Sequence, residues 1–149
     1  MKLRRFMAIG MTVALTATMF SGVSVYAESS DPEPFKIGFP WDTANTDPTW
    51  ISIYNNVKAA VESAGGELVN VVTDNSADGL IDNISELISR DVDGILFMPA
   101  SDSMLPAVDA MCADAGVYWG TMFRTISDDD IREAMYDSEW FAGGCNEDD

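Results

Sequence analysis

Hydrophobic positions along the chain change period in a regular order. A short apolar run at residues 36–40 (KIGFP) reads as a first strand. A helix then runs from residue 48 or 49 to 64. Pro48 suits its first turn, where a missing N–H leaves nothing unpaired. Ile53, Val57, Ala60, Val61 and Ala64 form its expected inward stripe, and Gly65-Gly66 stops it. Residues 67–72 make a second, Val-rich strand. Leu80, Ile81, Ile84, Leu87 and Ile88 then fall on one face of a helix spanning 77–89. Asp93-Gly94 turns the chain into a third strand, 95–98, apolar on both sides as a central parallel strand should be. A third helix at 103–115 carries Leu105, Val108, Met111 and Cys112 on one side, and Gly116 caps it. A fourth strand follows at 117–123. A short acidic helix at 128–135 opens on Asp128 as N-cap, and a fifth strand begins near 140–143.

Strands alternating with single helices imply βαβ units, and so a Rossmann-like α/β fold in three layers. Right-handed crossovers predict a parallel sheet in the order 2-1-3-4, with the fifth strand beside the fourth. Ligands of such sheets bind beyond the carboxyl ends of the strands. The fifth strand has no helix after it, so Trp140 and Phe141 are expected to be under-covered. The pattern therefore reads as the first part of something longer.

The start of the chain differs in kind. Lys2, Arg4 and Arg5 precede an uncharged apolar run at 6–20, and Val25-Tyr26-Ala27 resembles a signal-peptidase site. Residues 1–27 are expected to be a secretory signal, with export to the periplasm or cell envelope. Residues 28–34 form an acidic, Pro-containing tether, expected to be disordered. The signal holds three of the eight cations and none of the 25 acids. The exported part then has five cations against 25 acids, a net charge of -20. Such a surface excludes nucleic acid, whose phosphates need clustered Lys and Arg, and opposes docking on anionic lipid.

The chain has no His, which removes His-dependent catalysis and His metal sites. It carries no Gly-rich phosphate loop and no nucleophile paired with a base, so no enzyme activity and no cofactor is implied. Cys112 falls on an apolar helix face and Cys145 beyond the last expected strand. That placement favours idle thiols over a disulfide, and two distant thiols are not a zinc site.

Several segments together resemble the first lobe of periplasmic sugar-binding proteins of the ribose-binding type, the solute receptors of ABC importers. They are KIGFP, then DPTW opening the first helix, KAAVESAGGELV, and ISELISRDVDGILFMPASDSMLPAVDAMCADAGV. The most specific part runs over 84–116, where an apolar strand leads into a Pro and an Asp-Ser loop. The resemblance covers 35 to about 149. It implies a type I periplasmic-binding-protein lobe at 35–149, with the second lobe missing and the ligand held between the two. It also implies a sugar-like small solute and an ABC permease as partners. A ligand-binding ectodomain of a membrane sensory receptor would use the same fold.

The resemblance also implies site residues. Trp50 stands where relatives set a ring against the apolar face of a sugar, though a core Trp on the helix face would look the same. Asp47 matches a position that accepts sugar hydroxyls, and it is equally a plain N-cap. Arg124 matches a ligand-contacting Arg. Phe123 departs from the pattern, since many relatives carry Asp there, and it points to a flatter or more apolar ligand. Trp41 and Asp42 follow the first strand and are candidates to line the cleft, with packing under the loop as the alternative for Trp41. Asp102 follows the third strand, where helix capping is the competing role.

Overall fold

The computed structural model describes residues 33–145. The expected signal at 1–27 and most of the expected tether at 28–34 lie outside the described residues. Five strands and four helices alternate: β1 (Lys36–Pro40), α1 (Pro48–Ser63), β2 (Glu67–Val71), α2 (Ala77–Ser89), β3 (Gly94–Phe97), α3 (Leu105–Ala115), β4 (Tyr118–Met122), α4 (Asp129–Tyr136) and β5 (Phe141–Cys145). A single 3₁₀ turn, Asp102–Met104, leads into α3. The sheet is wholly parallel in the order β2-β1-β3-β4-β5, as the crossover rule requires. Cys145 is the last residue of β5 rather than lying beyond it.

Helix boundaries follow their local chemistry. Asp47, Ser76 and Asp128 each accept a backbone N–H from the first turn of the helix they open. Gly116 takes the left-handed conformation (φ 70°) that closes α3.

The two faces of the sheet are covered unequally. On one, α2, α3 and α4 bury Leu80, Ile84, Leu87, Leu105, Val108 and Met135 against Ile95, Phe97 and Trp119. Phe141 joins this face, with its ring 4.5 Å from Trp119 and 5.4 Å from Tyr136. Trp140 packs at its margin, 5.3 Å from Tyr118. Trp140 and Phe141 are thus only partly covered, as expected: Phe141 by the Trp119 and Tyr136 rings and Trp140 by Tyr118, and neither is fully buried.

On the other face, α1 contributes no fully buried residue. It packs through Trp50, Ile53, Tyr54 and Val57 onto Phe39, Trp41 and Met122. Ala60 and Ala64 are exposed, so the inward stripe is built from larger side chains than periodicity alone indicated. Further along this face an open apolar groove is lined by residues such as Val61, Leu96, Tyr118, Gly120 and Ala142.

Cys112 is buried and free, and burial pushes its thiol up to about 12, with Asp109 adding to the shift. The thiolate is the reactive form. In a Cys145→Ser background, Cys112 should resist iodoacetamide at pH 8 in the native protein and react promptly once unfolded. Rapid native labelling would contradict its burial.

Candidate functional site

The candidate residues stand in the loops that leave the carboxyl edge of the sheet. The loop after β1 begins with Trp41, which is 1% exposed. Its ring stacks on Phe39 (centroids 5.0 Å apart, 11° between planes) and on Trp50 (4.5 Å, 24°). Its indole Nε1 donates to the Trp50 carbonyl at 3.2 Å. Three rings thus run in a continuous stack from the sheet to the first turn of α1. Stacked pairs contribute about 0.5–1.5 kcal/mol each beyond area burial.

Trp50 is half-buried at the outer end of this stack, and its own Nε1 is buried without a partner among the described residues. Trp50, Trp41, Asp42, Thr43, Asn45 and Tyr54 line a pocket of about 130 Å³. Phe123 packs against the same aromatic cluster. The structure therefore brings Trp41, Asp42, Trp50 and Phe123 together. Trp41, however, acts from behind, as the backing that holds Trp50, because it has almost no surface of its own to offer.

The remaining candidates are placed differently. Asp47 Oδ1 accepts Thr49 N–H at 2.8 Å, the N-cap geometry. Asp42 Oδ1 accepts Ala44 N–H at 3.1 Å and folds its own loop. Asp102 Oδ2 accepts the N–H groups of Ser127 (2.7 Å) and Asp128 (3.0 Å), tying the β3 loop to the loop before α4. Arg124 Nη1 donates to the carbonyls of Pro99 (3.2 Å) and Ala100 (2.6 Å), joining the loops after β3 and β4. It lines a second pocket, with Thr121, Arg132 and Tyr136, rather than the one beside Trp50. The Asp47 and Asp102 carboxylates and the Arg124 guanidinium thus serve first as loop braces.

Phe123 has φ 61°, in the left-handed region that bulky residues avoid. It sends its ring to the aromatic cluster while the next residue, Arg124, reaches back to the β3 loop.

Two supports escaped the reading of the sequence. Asn70 Nδ2 donates to the carbonyls of Phe39 (2.8 Å) and Trp41 (3.2 Å), binding β2 to the point where β1 becomes the site loop. A lone amide flanked by Val69 and Val71 was the available signal. Tyr54 lies one helical turn beyond Trp50, and its ring is 6.3 Å from Phe39. Among the described residues no cluster of acidic or sulfur side chains could hold a metal ion, and no helix is long and apolar enough to cross a membrane.

With this geometry in hand, the chain can be set beside solved structures. No family model matches it, and no curated protein does. The fold is shared with ABC transporter solute-binding proteins. The one from Mycobacterium smegmatis with bound glycerol has a TM-score of 0.56 at 21% identity, over 64% of this chain and 33% of the other. One from Clostridium phytofermentans with bound β-D-glucose gives 0.58 at 16% identity, over 74% and 31%. A periplasmic example from Actinobacillus succinogenes with bound D-allose gives 0.56 at 18% identity, over 67% and 35%. The matched part is about a third of each of those structures. The described residues thus share the α/β fold of these solute-binding proteins, the fold that the resemblance implied.

Two predictions follow from the braces. Asn70→Ala removes both hydrogen bonds to the Phe39 and Trp41 carbonyls and should cost about 1–3 kcal/mol in a denaturant melt. Asn70→Asp should cost more, because a carboxylate would face the same two oxygens; an equal or smaller loss would refute the bridging role. Backbone hydrogen bonds hold the carboxyls of Asp47 (from Thr49) and Asp74 (from Ser76) below the usual carboxylate range. A depressed folded value means their stabilisation is present above the ordinary value of 3.8 and is lost as pH falls through the lowered ones. Carboxyl NMR titration should find both groups titrating below the ordinary value of 3.8, and Asp47→Asn, a comparable cap, should remove its share of the acid sensitivity.

Proposed function

We propose that the chain is the sugar-binding lobe of an extracytoplasmic solute receptor that serves an ABC importer. The reading is non-enzymatic, with a sugar or related polar solute as ligand and the membrane permease as partner. One observation carries it: a stack of aromatic rings ends in a half-buried Trp50 at the edge of the sheet where ligands of this fold lie. A pyranose or furanose offers an apolar C–H face to such a ring, and the unpaired Trp50 N–H beside the pocket is a donor for a hydroxyl. Phe123 in the same cluster favours solutes with a broad apolar face. Asp42, which lines the same pocket, offers an acceptor for hydroxyls. The basic, apolar start of the chain supports export, with 1–27 as a signal and 35–149 as the lobe. That the proteins sharing this fold were solved with glycerol, β-D-glucose and D-allose supports a polyhydroxylated ligand.

The rim touches a solute from one side only. Ring stacking adds about 1 kcal/mol beyond area, and three polar contacts about 1 kcal/mol each. Immobilising the ligand costs at least about 4 kcal/mol, so affinity for this chain should be millimolar or weaker. Saturation-transfer NMR with glucose, allose, arabinose and myo-inositol should show weak transfer to ring C–H protons from at least one of them, and Trp50→Ala should abolish it. Silence across the panel, or transfer that survives the substitution, would overturn the reading.

A further inference from the structure

A second pocket lies away from the Trp50 stack, between the ends of β4 and β5 and the inner side of α4. Its volume is about 110 Å³, room for several waters or one tetrahedral oxyanion. Thr121, Arg124, Arg132, Tyr136, Phe141 and Gly144 line it. Only five Lys or Arg follow residue 27, and two of them meet here. Arg132 is held by the Ile126 carbonyl at 3.1 Å and by Asp129, while Arg124 is held through Nη1 alone. Each guanidinium has five N–H donors, so donors remain on both. Even with the Asp129 carboxylate counted, the lining is net positive, in a chain of formal charge -17.

An independent feature points to a ligand. Thr121 is 2% exposed, lines this pocket, and its hydroxyl is buried with no partner among the described residues. An unsatisfied buried hydroxyl costs free energy, and a Val would fill the same space without that cost. A Thr retained here has a use if its O–H donates into the pocket.

We propose that this pocket binds a small tetrahedral oxyanion, phosphate or sulfate, between the Arg124 and Arg132 guanidinium groups, with the Thr121 hydroxyl as a third donor. Guanidinium geometry suits two oxygens of such an ion at once. The site is separate from the aromatic rim and does not depend on the ligand held there.

The test is calorimetry of the full chain with sodium phosphate and, separately, sodium sulfate, each against sodium chloride at matched ionic strength. One-to-one binding of at least one oxyanion is expected, and the preferred ion names the source. Thr121→Val should weaken it by roughly 2- to 12-fold, one hydrogen bond's worth, while leaving the melting temperature unchanged or higher. Arg132→Gln should remove binding. Saturating glucose should leave the phosphate heat unaltered, which separates this site from the rim. Heats equal to those of chloride, or oxyanion binding unchanged in both variants, would overturn the proposal.

Discussion

Every candidate contact in this chain depends on one constraint: all five strands are parallel. In a parallel sheet each βα loop leaves by the same edge, so residues far apart in sequence arrive at one rim. The loops after β1, β2, β3 and β4 begin at Trp41, Val72, Met98 and Phe123, and all open on the carboxyl edge. β1 lies between β2 and β3, so the loop at Trp41 leaves the rim flanked by the loops that follow those two strands. The crossing bonds then fix the loops to one another. Asn70 grips the end of β1, Arg124 grips the β3 loop, and Asp102 grips the loop before α4. Each brace is a side chain bonded to backbone, which spares the carbonyls and N–H groups that a tightly turned loop would leave unpaired.

The unequal faces explain why the rim is aromatic. The side covered by α2, α3 and α4 combines aliphatic side chains with the rings of Phe97, Trp119 and Phe141. The α1 side has a single helix, and that helix reaches the sheet only through half-buried residues. Large flat rings bury more area per residue than aliphatic chains, and Phe39, Trp41 and Trp50 join α1 to the sheet. The stack therefore does two jobs. It anchors α1, and it sets the plane of Trp50 at the edge.

How much of this was legible in the sequence depended on the range of the interaction. The five apolar positions of α2 gave the helix at 77–89 without error, because their spacing follows the helical turn itself. Strand order followed from handedness alone. The inward stripe of α1 was misread at Ala60 and Ala64, since small residues satisfy a periodic pattern without being needed in the core. The roles of Asp102 and Arg124 were hidden for another reason. Their partners lie 24 to 26 residues away on neighbouring loops, and nothing in local composition distinguishes a carboxylate that braces a backbone from one that meets a solute. Trp41 was weighed both as a lining and as a packed residue, and only the ring geometry, with Trp50 outside and Phe39 inside, separated the two.

Phe123 joins these threads. The left-handed conformation costs a bulky residue about 1–2 kcal/mol relative to ordinary backbone, and Gly or Asn would have met the turn with less strain. The site instead keeps an aromatic ring and bends the backbone to place it. Strain of this kind persists where the surroundings over-determine it, and such places cluster at functional positions. Here the surroundings are the aromatic cluster on one side and the Arg124 clamp on the other. A residue in extended conformation at this point would carry the ring away from the cluster or pull the guanidinium off the Pro99 and Ala100 carbonyls. The turn lets both side chains hold their partners at once, so the aromatic rim and the braced loop are one construction rather than two.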